Sequence, residues 1–358
     1  MICNILSGLS SCREASTWRE EVSDCLVRGK NPTIHNTTLT NHRVIMLGTN
    51  ACQVSLSKNT MDSVEADEVC ASCGIAAGDN IKLKICTACK LVKYCSVDCQ
   101  KNHRPQHKRE CKKRAAELRD DRLFTPPDGC CYGECPICCL PLPFDVTKWS
   151  INTCCSKRIC TGCNYANIKR ELEQGLESKC PYCREPPPKT DEEMNQNKRK
   201  RAKANDPVAL FQMGNKCDEE GDYEDAIQYW TKAAALGSAE SHHNLSIMYG
   251  KGEGVERDLK KEVYHMEEGA IGCHPDARYN LGCYEARKGR FDRASKHFII
   301  AAKLGCDEAL EMVKDGFADG IVSKEDYEAA LRGYQAAVDA TKSEQRDEAY
   351  AFFKRNNL

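Results

Sequence analysis

No stretch of about 18 consecutive apolar residues occurs in this 358-residue chain, which excludes a membrane-spanning helix. Its amino end, MICNILSGLS, has neither a basic start nor a sustained apolar run, so a secretory leader is not expected. A surplus of one charge is also missing. The 52 Lys and Arg meet 53 Asp and Glu, a net charge of −1, and no global field draws the molecule to nucleic acid or anionic lipid. There is no phosphate-cradling glycine loop with a lysine, no GxSxG, and no pair of acids with a plausible pocket around it. The expectation is a soluble, intracellular, cytoplasmic protein; the run KRKRAK, Lys198 to Lys203, leaves nuclear import open.

What the chain has in excess is cysteine: 26 in all, 18 of them between Cys70 and Cys183. Secreted disulfide frameworks are short and carry leaders, so these thiols are expected to be reduced and to form a local device. From 70 to 111 and from 135 to 184 the sequence is mostly CxxC pairs and short loops, with too few large apolar residues for a conventional core. Residues 1 to 65, rich in Ser, Thr and Asn without a helical or strand period, are expected to be disordered. Residues 186 to 206, three prolines followed by charge, are expected to be a linker because they bury too little apolar surface to offset ordering entropy.

The first cluster offers four pairs: Cys70 and Cys73, Cys86 and Cys89, Cys95 and Cys99, His107 and Cys111. Eight soft ligands in four pairs suit two tetrahedral zinc ions, with the last two pairs read as i,i+4 neighbours on a helix. The ligand order, with YCSVDCQ and HKREC, resembles a MYND finger. That resemblance implies one ion on Cys70, Cys73, Cys95 and Cys99, another on Cys86, Cys89, His107 and Cys111, and proline-containing peptides as partners. Arg104 stands where that family usually has Trp. Lys101, Arg104, Lys108, Arg109, Lys112, Lys113 and Arg114 lack interleaved aromatics for base stacking and are read as a solvated face, with His103 a surface residue. A thioredoxin-like role is excluded because no βαβ context surrounds the CxxC pairs.

The second cluster has CxxC pairs at Cys135 and Cys138, Cys160 and Cys163, and Cys180 and Cys183, with TCCSK between the first two. It resembles a RING finger. The family's interleaved scheme implies one zinc on Cys135, Cys138, Cys160 and Cys163, and another on Cys154, Cys155, Cys180 and Cys183. Adjacent cysteines reach one ion only through a particular turn; one of Cys154 and Cys155 being a buried thiol, or a register using Cys139, stays open. Cys130, Cys131 and Cys139 are otherwise read as spare thiols. The resemblance further implies docking of a ubiquitin-conjugating enzyme by Ile137, Pro181 and Arg184, which would be positioning catalysis with no covalent residue. Asn167 stands where many active RINGs carry Trp.

After residue 207 the pattern is helical. Leu259, Val263, Met266 and Ala270 step by four, three and four; Phe291, Ala294, Phe298 and Ala301 step by three, four and three. KAAALG, EEGAIG and IAAKLG end at Gly237, Gly272 and Gly305, so the period is 35 and then 33 residues, that of a solenoid of helix pairs. YGKGEGVERDLKK resembles the SEL-like relatives of tetratricopeptide repeats over about residues 207 to 310, which implies a protein-binding scaffold. Repeats are expected over 207 to 340, with capping helices to 358; Ser323 and Asp326 have capping-box spacing. Cys217, Cys273, Cys283 and Cys306 are read as compact core residues. The fold class is thus multi-domain: two small zinc-stabilised cross-brace modules and an all-α helical-repeat solenoid. Functionally the chain reads as a RING-type ubiquitin ligase whose finger and repeats select protein substrates, with a non-enzymatic adaptor as the alternative.

Overall fold

The computed structural model describes residues 69–78, 80–126 and 132–355. The expected disorder of residues 1–65 lies outside them, as do Cys130 and Cys131. The chain divides into two units, the first ending at Asp121 and the second running on from Arg122.

In the first unit a two-stranded ribbon, β1 (Lys84–Ile85) and β2 (Lys93–Tyr94), pairs Lys84 with Tyr94 and Ile85 with Lys93. Helix α1 (Val97–Phe124) follows. Ser96 starts it, its Oγ accepting from the Cys99 amide at 3.1 Å. Because of that start, Cys95 lies just ahead of the helix and Cys99 in its first turn, so these two do not share a helix face as their spacing had implied. Only Leu123, at the far end, is buried in α1. The core here is therefore made of thiols, Cys70, Cys86 and Cys89, around the Tyr94 ring.

In the second unit, β3 (Trp149–Asn152) and β4 (Lys157–Cys160) form an antiparallel hairpin with Asn152 opposite Lys157, and α2 (Thr161–Glu173) follows at once. Tyr132, Leu142, Ile159 and the buried cysteines form its core, with Phe144 and Trp149 against it. The segment expected to be a linker is instead helix α3 (Asp191–Lys203). Thr190 caps it, Asp191, Glu192 and Glu193 fill the first turn, and Lys200, Arg201 and Lys203 the last, charges arranged to suit the helix dipole. Burial of Ala202 against Leu210, Met213 and Ala233 supplies the tertiary part.

Eight helices continue, packed as pairs: α4 (Pro207–Glu219) with α5 (Tyr223–Ala235), α6 (Ala239–Lys251) with α7 (Leu259–Ile271), and α8 (Pro275–Arg287) with α9 (Phe291–Lys303). The last pair is α10 (Asp307–Ala318) with α11 (Lys324–Ala340). Asp206, Asp222, Ser238 and Asp258 cap the first four of these helices at their amino ends. Trp230 is buried with Leu245 and Met248, and Phe298 with Val313 and Ala330. Gly237 and Gly305 take left-handed turns at φ 90 and φ 94, whereas at the middle turn Cys273 does so at φ 70. Gly272 is required there for another reason: a Cβ would lie 2.7 Å from that of Ala239.

Both apolar stripes face the interior except at Leu259, which is 53% exposed in the first turn of α7. Cys217, Cys283 and Cys306 are buried as expected; Cys273 is half-buried, its place in the left-handed turn keeping it out of the core. Ser323 caps α11, accepting from the Asp326 amide at 3.0 Å. The final helix, α12 (Glu344–Arg355), departs from its expected capping role and packs on α2. No helix among the described residues is long and apolar enough to cross a membrane.

Candidate metal centres

Four CxxC turns are built alike. After Cys70, Cys86, Cys135 and Cys180, the residue four positions on folds back so that its amide donates to that cysteine's carbonyl, at 2.8, 2.9, 2.8 and 3.0 Å. The residue making each return has a left-handed backbone: Gly74 at φ 74, Lys90 at φ 56, Cys139 at φ 57 and Arg184 at φ 65. Cys139 thus closes a turn, and it stands outside the tetrad that its neighbours Cys135 and Cys138 join. Sequence reasoning missed this; the fixed offset from the first cysteine of each pair was the available signal.

The turns bring sixteen side chains into four groups. They are Cys70, Cys73, Cys95 and Cys99; Cys86, Cys89, His107 and Cys111; Cys135, Cys138, Cys160 and Cys163; and Cys154, Cys155, Cys180 and Cys183. Within each group the ligand atoms all lie within 4.8 Å of one another. Sulfur pairs stand 3.5 Å apart at Cys73 and Cys95, 3.8 Å at Cys86 and Cys111, 3.8 Å at Cys138 and Cys160, and 3.9 Å at Cys155 and Cys180. A tetrahedral zinc with Zn–S of about 2.3 Å has an S···S edge of about 3.8 Å, whereas a disulfide needs about 2.05 Å. The donor sets therefore fit zinc and exclude disulfides.

Electrostatics agree. Hydrogen bonding from Cys160 holds the Cys135 thiol well below the ordinary range, and the same bond drives Cys160 up. Four thiols this close cannot all ionise without a cation to balance them.

The adjacent cysteines reach one centre through the β3–β4 turn. Asn152 accepts from the amides of Cys155 and Ser156 at 3.1 and 2.8 Å, and Ser156 is left-handed at φ 55. This splays the two side chains so that Cys154 Sγ sits 3.4 Å from Cys183 Sγ while Cys155 meets Cys180. Asn152 Nδ2 also donates toward Cys180 Sγ at 3.4 Å.

In the first unit, His107 Nε2 is 3.2 Å from Cys89 Sγ. His103, read as a surface residue, is half-buried: its ring stacks on His107 at 5.6 Å and its Nδ1 lies 3.1 Å from the Tyr94 hydroxyl. It thereby lies against the imidazole that joins the second tetrad.

Residues 70–111 match the MYND finger family. The first module is a MYND finger. Over 53 residues the chain is 40% identical to the SET domain and MYND-type zinc finger protein 6 of Schizosaccharomyces pombe, a match spanning 15% of this chain and 10% of that protein. Among solved structures the chain is similar to a Sel1 repeat protein from Oxalobacter formigenes at 20% identity, covering 50% of this chain and 72% of that one with a TM-score of 0.36. It is also similar to c5321, a protective antigen of uropathogenic Escherichia coli strains with an SLR fold, at 18% identity, covering 54% and 40% with a TM-score of 0.34. Together, the MYND finger, the donor sets and the helix pairs make this a zinc-finger protein with helical repeats suited to protein–protein interaction.

In the second unit, the other pair of tetrads presents the remaining expected site residues. Ile137 is 42% exposed in the turn between Cys135 and Cys138. Pro181 is half-buried and Arg184 exposed in the Cys180–Cys183 turn. Arg184 Nη1 lies 3.5 Å from Asn167 Oδ1, and Asn167 Nδ2 donates to Glu171 Oε1 at 2.8 Å and to the Lys179 carbonyl at 3.1 Å. Asn167 thus fastens this turn to α2. Arg201, within the basic run considered for nuclear import, is not a free charge: it pairs with Asp206 at 2.7 Å and donates to Ser156 Oγ at 2.6 Å.

Proposed function

We propose that this protein is a RING-type ubiquitin ligase holding four zinc ions, two in the MYND finger and two in the second module. In this reading the second module docks a ubiquitin-conjugating enzyme, and the MYND finger and helical repeats hold protein substrates or proline-containing peptides. The observation that carries the reading is the exposure of Ile137 and Arg184 on the turns of two interleaved tetrads. Zinc supplies the fold and no bond-making step. Ile137 offers an apolar contact that desolvates the partner, Pro181 stiffens the turn beside Cys180, and Arg184 presents a planar fork of donors able to bridge two acceptors. Catalysis of this kind is orientation: the conjugating enzyme's thioester is held in a reactive pose.

Asn167 favours a second reading, a non-enzymatic adaptor. Its amide is spent on Glu171 and Lys179, and it offers no aromatic surface where many active RINGs carry Trp.

The two part in an assay of ubiquitin-chain formation by the full chain with a panel of conjugating enzymes, beside Arg184→Ala. Chain formation that falls at least about tenfold in the variant, with zinc content unchanged, is expected from loss of a bridging charge-assisted contact. A zinc-loaded wild-type protein that forms no chains with any enzyme in the panel establishes the adaptor reading.

A further inference from the structure

The amino end of α12 meets the Cys135, Cys138, Cys160 and Cys163 centre at close range. Arg346, 7% exposed, donates through Nη1 to the carbonyls of Pro141 and Thr341 at 2.8 and 2.7 Å. Its Nη2 donates to the Leu140 carbonyl at 3.2 Å and toward Cys138 Sγ at 3.4 Å. Gly162, in the first turn of α2, makes room for it: a Cβ there would lie 2.9 Å from Arg346 Cγ and 3.0 Å from its Cα. Gln345 Oε1 stands 3.9 Å from Cys163 Sγ. Further along, Tyr165 packs on Phe352 at 4.9 Å between ring centres, and Lys169 pairs with Glu348 at 2.8 Å.

We propose that Arg346 is a positioning residue for this zinc centre, so that α12 is a working part of the second module although it lies more than 150 residues downstream of Cys183.

Charge makes the arrangement specific. Four thiolates around a divalent cation leave two negative charges, and this group is largely removed from water. A buried guanidinium opposite them compensates that excess, and its N–H toward the Cys138 sulfur fixes one ligand in place. The two carbonyls it ties follow directly on Cys138 and Cys139, so the grip also sets the turn that carries Ile137. Outer partners of metal ligands hold their orientation and typically change metal affinity by about 10 to 100-fold. An apolar residue in this place would leave the carbonyls of Leu140 and Pro141 without that donor.

This inference rests on the metal reading and is independent of whether the module has ligase activity. The test compares full-length wild type with Arg346→Gln, Arg346→Lys and Glu348→Ala. Zinc release to a chromophoric chelator is followed together with alkylation of individual cysteines by mass spectrometry. In Arg346→Gln one zinc equivalent is expected to leave about 10 to 100-fold faster, with Cys138 alkylated in step. Cys70, Cys73, Cys95 and Cys99 of the MYND finger should keep wild-type rates. Arg346→Lys, with charge but no fork, should fall between, and Glu348→Ala, which breaks an exposed pair on the same helix, should behave as wild type.

Wild-type rates at Cys138 in Arg346→Gln overturn the proposal, as does equally fast release in Glu348→Ala, which would make general packing of α12 the cause. Should Arg346→Gln lose its helical far-ultraviolet signal, Arg346→Lys decides by the same readouts, and wild-type labelling there refutes the brace.

Discussion

Acid should loosen the solenoid through one histidine in particular. His297, on α9, is fully buried, its ring 4.7 Å from that of Phe124, and neither of its nitrogens has a partner among the described residues. Burial, reinforced by the charges of Arg278 and Arg293, pushes its pKa down from the ordinary 6.5 to about 3. The folded state thus binds this proton less readily than the unfolded one. The stability concerned is present above pH 6.5 and is lost as pH falls toward 3. With 1.36 kcal/mol per pH unit, this histidine alone removes about 2 kcal/mol between pH 7 and pH 5. His297→Leu carries no such proton, so its stability should fall by about 2 kcal/mol less over that interval. Urea unfolding of both proteins, followed by helical circular dichroism at pH 7, 6 and 5, measures the difference. Metal ligands also titrate here, but they do so in both proteins and cancel. Parallel pH curves for wild type and variant would refute the assignment of a buried neutral imidazole.

Chelation with EDTA should remove tertiary structure from both zinc modules while leaving most of the helical signal of α4 to α11, because the modules rest on metal worth about 10 to 16 kcal/mol each and the helix pairs rest on apolar burial; loss of all helical signal at once would refute that division. Gly214→Ala should destabilise the chain by about 1 to 3 kcal/mol, since the new methyl would lie 2.5 Å from Cδ1 and Nε1 of the buried Trp230. A thermal melt within a degree of wild type would show that the indole can move aside.

The metal centres were legible in the sequence because coordination chemistry demands particular residue types at short spacings, and little else explains His107 and Cys111 beside three cysteine pairs. The helix pairs were legible because Gly237, Gly272 and Gly305 recur with apolar stripes at helical steps. What escaped falls into two kinds. Helix α3 has strong local signals, the Thr190 cap and oppositely charged ends, but the three prolines before it and its low apolar content read as a linker; docking of Ala202 and Arg201 is a tertiary fact. The seating of α12 on α2 leaves no local trace at all, since Gly162 and Arg346 are 184 positions apart and neither is unusual where it stands. Cys139, read as a spare thiol with a register using it left open, closes the turn through its backbone, a role that its residue type does not mark.

Synthesis order gives the α12 contact a temporal meaning. The ribosome releases Cys135 to Cys183 well before Arg346, and roughly 160 residues at about 5 to 20 per second leave the thiols unattended by that helix for roughly 8 to 30 seconds. During this interval the module can capture a metal and lose it again. On the proposed role of Arg346, the arrival of α12 marks the moment at which this centre gains its outer partner.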